Sequence, residues 1–387
     1  MTVLAFLLVL AAVIAWVLLP LIPALRELLA PTDAEPLSAV GQDAGDLTVF
    51  AEGFRDYLSR QLPPTGDRAT ALDDGAGEET PGGNATATDV ARTEPPRVGT
   101  LRDGTPFVQL AGDAAPLREL ARADGSIPRV VITDGAVALP GGETFPLEVH
   151  ARGALQAGDG TIFRALLGED DLALGAGSEV LRWVHAERTL RLAAGCTVHG
   201  RASASGHILL GPDVAFARIR AGRIAAVSDV AAPDLPDALH EPPALPPVIT
   251  GTAKLPPGTV RERGFTRVRG DLTVPAGATL VGSLVVEGHL MVGEGGRIGG
   301  SVKVHGDCTL GDDVVIDGGI VSRRGVRLGR RCAVRGAVAA EGDVTIGGGS
   351  WVGSSTTPAS IAAEWVTLER DAQVFGAITA RRGAHTR

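Results

Sequence analysis

The sequence predicts an all-β fold, a triangular β-helix solenoid with coils of eighteen residues, preceded by an N-terminal transmembrane helix. Three observations predict the solenoid. From Thr266 the chain repeats every eighteen residues, at Leu284, Val302, Ile320 and Val338; after the four residues Thr356 to Ala359 it resumes at Ser360 and Ile378. Within each repeat, apolar positions recur at steps of six. The third position reads Val268, Val286, Val304, Ser322, Ala340 and Ala362. The ninth reads Val274, Val292, Leu310, Leu328, Ile346 and Leu368, and the fifteenth Leu280, Ile298, Ile316, Val334, Val352 and Val374. The seventeenth position reads Gly282, Gly300, Gly318, Gly336, Ser354 and Gly376. A fixed period of this kind marks stacked units, each covering the apolar face of the next. A step of six inside a step of eighteen gives three sides per coil, with inward and outward residues alternating as in a strand. Glycine marks the bends, where it adopts backbone angles other residues avoid.

Composition agrees. The chain has 387 residues, room for two or three domains. Its 52 glycines and 4% aromatics suit thin coils around a narrow Val, Leu and Ile core. A net charge of −9 argues against a polyanion-binding chain as a whole. The cysteines, Cys196, Cys308 and Cys332, form neither a disulfide framework nor a zinc motif. Cys308 and Cys332 fall at inward positions and read as buried reduced thiols, which fits a cytosolic compartment.

Taken in order, residues 1–30 read as a membrane anchor. Val3 to Leu25 carries no charge and is long enough to span a bilayer, and Arg26, Arg55 and Arg60 after it favour a cytoplasmic C-terminal bulk. Residues 31–98 read as a juxtamembrane helix and a linker. Leu47, Phe50, Phe54, Tyr57, Leu58 and Leu62 share one side at helical spacing, and Pro63 to Val98 has almost no large apolar residue to bury. Residues 99–228 read as a first solenoid segment, opened by strands at Phe107 to Leu110 and Val130 to Ile132 and a helical turn at Pro116 to Ala123. Its coils start near Leu166, Val184 and Ala202, with Leu174, Leu192 and Leu210 at the ninth position and Val180, Val198 and Phe216 at the fifteenth. Residues 229–263 are proline-rich and read as an extended crossover. Residues 264–387 are the second solenoid.

Gly270-Asp271-Leu272-Thr273-Val274, Gly342-Asp343-Val344-Thr345-Ile346 and Val374-Phe375-Gly376-Ala377-Ile378 give the second solenoid its phrasing. In this it resembles the bactofilins, bacterial cytoskeletal proteins that polymerise; the resemblance covers about Gly264 to Arg382. It implies a right-handed β-helix that joins end to end into nonpolar filaments without nucleotide or other cofactor, and without catalytic or metal sites. It also implies association with the inner face of the bacterial inner membrane, here through a single pass at residues 3–25. The anchor, the upstream segment and the crossover depart from the usual member. Ile346 to Gly353 and Leu310 to Ile316 also look like the hexapeptide repeat of left-handed β-helix acyltransferases, the alternative reading. Such enzymes use a histidine general base. Here His185, His199, His207, His289 and His305 all occupy outward positions and read as solvated.

Two sets of residues are candidates for contact with partners. A solenoid end leaves strand edges and core residues open. The C-terminal coil shows no capping helix, so Val374, Phe375 and Ile378 are candidates for self-association. The coil Ile320 to Ala337 carries six arginines, Arg323, Arg324, Arg327, Arg330, Arg331 and Arg335, and no acidic residue. They are either compensated by Asp307, Asp312, Asp313, Asp317, Glu341 and Asp343 on neighbouring coils, or form a docking patch for an acidic protein or anionic lipid on a monomeric adaptor. Nucleic acid is disfavoured, since no aromatics interleave with the arginines. The fourth position, from Arg269 through Glu287, His305, Arg323 and Glu341 to Ala363 and Arg381, reads as an outward column.

Overall fold

The computed structural model describes residues 48–62, 95–230, 259–262 and 265–387. Inward apolar residues stack from coil to coil because the parallel ladders keep the sequence period. In the second solenoid Thr266 pairs with Leu284, Leu284 with Val302, Val302 with Ile320 and Ile320 with Val338. In the first, Leu174, Leu192 and Leu210 stack, as do Val180, Val198 and Phe216. The first solenoid also takes steps of seventeen, as from Val149 to Leu166 and from Ala202 to Ile219. The result is a β-solenoid of about twelve turns.

Three expectations need correction. Among the described residues no helix is long and apolar enough to cross a membrane. What the described residues show is a β-solenoid with no transmembrane helix among them, and the span expected at Val3 to Leu25 lies outside the described residues, as do most of the linker and the crossover. Second, the register slips by one residue after the skip: Val338 pairs with Ile361 rather than Ser360. A slip of one exchanges inside and outside. Ala363 is thus buried and Ala362 exposed, and Glu364 takes the outward place and pairs with Arg382 at 2.9 Å. The register recovers by Val344 and Val366, because the extra residue is absorbed within the strand Ala359–Leu368.

The third correction concerns the C-terminal end, which is not open. The last strand of the first solenoid, Ala215–Ala226, pairs antiparallel with the last strand of the second, Gln373–Thr386, with Ile219 opposite Ile378 and Ile224 opposite Val374. Thr386 closes the seam, its hydroxyl donating to Gly211 O at 2.6 Å and accepting the Val214 N–H at 2.9 Å. The two solenoids therefore meet last coil to last coil, and one apolar column runs from Val108 through the junction to Val268.

At the other end of the first solenoid a short helix, α2 (Pro116–Leu120), buries Leu117 against Ile127, and Arg97–Thr100 pairs antiparallel with Pro106–Ala111. A longer helix, α1 (Val49–Gln61), lies on the outer side of the first solenoid. Its buried stripe is Ala51, Phe54 and Leu58, packed on Phe107, Ile132, Ala165, Leu167 and Trp183. Phe50, expected on that stripe, is 43% exposed, with the Arg201 guanidinium 5.1 Å above its ring.

The bends use glycine in two ways. At the twelfth position of each coil of the second solenoid, Gly277, Gly295, Asp313, Arg331, Gly349 and Asp371 all adopt positive φ; Gly142, Gly160, Gly177, Gly195 and Asp213 do so in the first. At the seventeenth position Gly318 has no such φ, but a Cβ there would lie 2.6 Å from the Ser301 backbone nitrogen. One column serves conformation, and at Gly318 the need is close approach of coils.

Candidate docking surface on the arginine coil

Aspartates of the Gly-Asp phrases work across coils. The Asp271 carboxylate accepts the His289 N–H at 2.7 Å, Asp307 accepts Gly325 N–H at 3.0 Å, and Asp159 accepts Ala176 N–H at 2.7 Å. Asp312, at the next bend, accepts Arg330 N–H at 2.9 Å. Each satisfies a backbone donor that the bend would otherwise leave without a strand partner. A carboxylate so engaged also sits over the start of the next side. The hexapeptide-like phrase Leu310 to Ile316 contains two parts of this bend, Asp312 as acceptor and Asp313 at positive φ.

All six arginines of the coil Ile320 to Ala337 are exposed, but the coil wraps the core and does not bring them together. Arg331 holds Asp313 through two hydrogen bonds of 2.7 and 2.6 Å, and that contact keeps the Asp313 carboxyl below its usual range. Arg335 lies 3.8 Å from Asp317, which is also held at 2.9 Å by Arg297. Compensation by neighbours thus accounts for two of the six arginines. Among the described residues no carboxylate lies within ion-pair distance of Arg323, Arg324, Arg327 or Arg330.

Arg323, Arg324 and Arg327 converge. They line a groove of about 760 Å³ that crosses four coils, with Gly325 and Gly342 adding no side chain to its wall. Thr309 and Thr345 flank Arg327 on the adjacent coils, and Asp307, Glu341, Asp343 and Glu364 add negative charge. Arg330 does not line this groove. Close by, burial and then the charges of Arg323 and Lys303 push His305 below the ordinary imidazole range. The groove therefore presents alternating charges, with arginines on one coil and carboxylates on the coils to either side, at a spacing of about 4.8 Å.

The self-association candidates stand elsewhere. Val374, Phe375 and Ile378 are 0%, 1% and 0% exposed, covered by the antiparallel pairing with Ala215–Ala226. The Arg223 guanidinium lies 4.9 Å from the Phe375 ring centre. Cys308 and Cys332 are buried as well, and burial pushes their thiols up to about 12 and about 11.

Sequence reasoning missed a polar cluster under α1. Arg55 bridges Glu169, at 2.7 Å, and Glu187 on the next coil. His150 Nε2 shares the same Glu169 oxygen at 2.9 Å, and its Nδ1 is buried without a hydrogen-bond partner. His185 Nδ1 meets Ser203 Oγ at 2.8 Å, with Glu187 3.4 Å from its other nitrogen. A Ser, His and Glu in that order resembles a nucleophile, base and orienter. Here, however, Ser203 is 4% and His185 2% exposed, so a substrate has no approach. His185 points away from the solenoid core, as expected, but α1 covers it. The signal available in sequence was weak: apolar Ala165, Leu167 and Trp183 at outward positions, calling for a cover.

Among the described residues no three His, Cys, Asp or Glu side chains are placed to hold a metal ion. No family model matches the chain, and no curated protein or solved structure matches it.

Proposed function

We propose that the chain is a self-assembling scaffold of bactofilin type, in which β-helices join end to end. The observation that carries this reading is the junction inside the molecule. Two solenoids already meet last coil to last coil through antiparallel strands, with apolar residues continuous across the seam. A nonpolar filament needs contacts of that kind between copies, and its rods would meet at like ends.

With the last coils used internally, a filament needs both outer ends: the strand Arg97–Thr100, paired only with Pro106–Ala111 among the described residues, and the first coil of the second solenoid. In that coil the strands Leu272–Val274 and Thr279–Leu280 pair on one side only among the described residues, with Leu290–Val292 and Arg297–Ile298. Leu272 donates its N–H inward to His289 O, so Thr273, next along the strand, directs its N–H to the open edge. Thr273→Pro removes that donor and leaves the inner ladder intact. Purified protein should form filaments one solenoid wide in negative-stain electron microscopy, and Thr273→Pro should leave particles of one size. Thr273→Pro filaments as long as those of the unaltered chain would end this assignment.

A second reading, an adaptor that docks an acidic partner, is favoured by the three unpaired arginines of the groove. Replacing Arg323, Arg324 and Arg327 together by Ser should release such a partner while the circular dichroism spectrum stays unchanged. Arg331 belongs in a control variant, since Asp313 already engages it.

A further inference from the structure

The attachment of α1 is slight and separable from the rest of the chain. Three side chains, Ala51, Phe54 and Leu58, bury their apolar surface, and Arg55 supplies the ion pairs. One backbone hydrogen bond, from Arg102 N–H to Gln61 O, joins its last turn to the first solenoid. The helix has thirteen residues with Gly53 near its middle, too short and too interrupted to persist unless docked.

The surface beneath is built to receive a helix. Phe107, Val130, Ile132, Ala165, Leu167 and Trp183 make one apolar strip on the outward face of the sheet. Glu169 and Glu187, one above the other on successive coils, fix where an arginine must sit. The pattern Ala-x-x-Phe-Arg-x-x-Leu, Ala51 to Leu58, satisfies both at once.

The connection between helix and strip is far longer than the site requires. Gln61 touches Arg102, which lies seven residues from Pro95, so the ends of the link are no more than about 30 Å apart. Residues 63–94 intervene, a length of chain able to reach about 110 Å. Nothing in that covalent geometry ties a helix to the strip of its own chain, and exchange of an identical element between copies is a low-cost route to association.

We infer that the strip is a helix-docking site that exchanges α1 between copies, so that its occupant can be the α1 of a second copy. This contact is lateral and distinct from the end-to-end joint. It rests on the scaffold reading only for its frequency in dilute solution, where a tethered helix has an effective concentration of about the millimolar scale and outcompetes a free one.

The full chain tests it with crosslinking. Tyr57 on the helix and Asp103 on the solenoid touch at 2.6 Å. One preparation carries Tyr57→Cys, another Asp103→Cys, and the mixture is treated with a short bismaleimide. The native thiols Cys196, Cys308 and Cys332 are buried and protonated and do not compete. Exchange predicts a product joining position 57 of one chain to 103 of another, rising about tenfold between about 0.1 and 1 mM. Adding Arg55→Glu to the helix-bearing chain should abolish it. A chain carrying both cysteines should crosslink within itself. The inference is overturned if the mixture at about 1 mM yields no more inter-chain product than the Arg55→Glu control. It is equally overturned if the doubly substituted chain does not crosslink. Sedimentation of the same samples reports end-to-end assembly separately, so either idea can fail alone.

Discussion

At single residues, the bends separate two demands that sequence alone merges into one word, glycine. Gly295 sits at φ +65° with nothing nearer to an added Cβ than Gly277 Cα at 4.0 Å, so Gly295→Ala meets only the left-handed backbone, about 1–2 kcal/mol. Gly318→Ala instead drives a methyl to 2.6 Å from Ser301 N, and one coil must move away from its neighbour. Its cost should exceed that of Gly295→Ala in urea unfolding; equal midpoints would show that the coils yield easily. The seventeenth-position column was legible because it is nearly all glycine. The twelfth was not, because Asp313, Arg331 and Asp371 share one backbone conformation without sharing chemistry. Of the six arginines, sequence placed all at the surface, but could not tell that Arg331 and Arg335 turn to aspartates eighteen residues back while Arg323, Arg324 and Arg327 share a groove.

Among elements, α1 shows how a correct periodicity can indicate the wrong face. Helical spacing placed a helix at these residues, but large side chains drew the stripe toward Phe50, whereas Ala51 is the residue that lets the helix approach the sheet. The polar cluster beneath makes docking sensitive to pH. Burial holds His150 and His185 below the ordinary imidazole value of about 6.5, outweighing the pull of Glu169 and Glu187; the positive charge of Arg55 acts in the same direction as burial, as does Arg152 at His150. The docked helix thus favours neutral histidines. Their contribution is complete above about pH 6.5 and is lost as pH falls below it toward the depressed docked values. Burial alone would raise Glu169 and Glu187, but hydrogen bonds led by Arg55 hold both low, so a second loss follows below about pH 4.5. Trp183, 6.0 Å from the Phe54 ring, reports the event. Its fluorescence should shift between pH 7.5 and 5.5 and stay flat in a His150→Gln, His185→Gln variant. A Trp183→Phe chain identifies which tryptophan is responsible, and an unaltered signal across that interval in the unsubstituted protein would refute the coupling.

For the molecule as a whole, the periods within each solenoid were visible in sequence, and their mutual arrangement was not. Steps of six and eighteen describe how a coil lies on the next; they are silent on an antiparallel contact between residues far apart in the chain. An unpaired end and a covered one carry the same inward Val374 and Ile378. The junction changes the expected result at Phe375. Phe375→Arg at an open end would dissolve assemblies, but at a residue 1% exposed it buries an unpaired charge beside the Arg223 guanidinium, a loss of at least ~3 kcal/mol. Thermal unfolding should begin several degrees lower, with the seam opening first in hydrogen exchange at Ile219 and Ile224; an unchanged melting curve would refute the seam.

The same seam imposes a schedule on synthesis. The strand Ala215–Ala226 leaves the ribosome with one edge bare, and its partner Gln373–Thr386 is made much later. About 150 residues separate them, so at 5–20 residues per second the nascent chain carries an unpaired apolar coil for roughly 7–30 s. Its lasting cover among the described residues is Gln373–Thr386, so a chain cut before that strand is a half-built rod permanently ready to join the wrong chain.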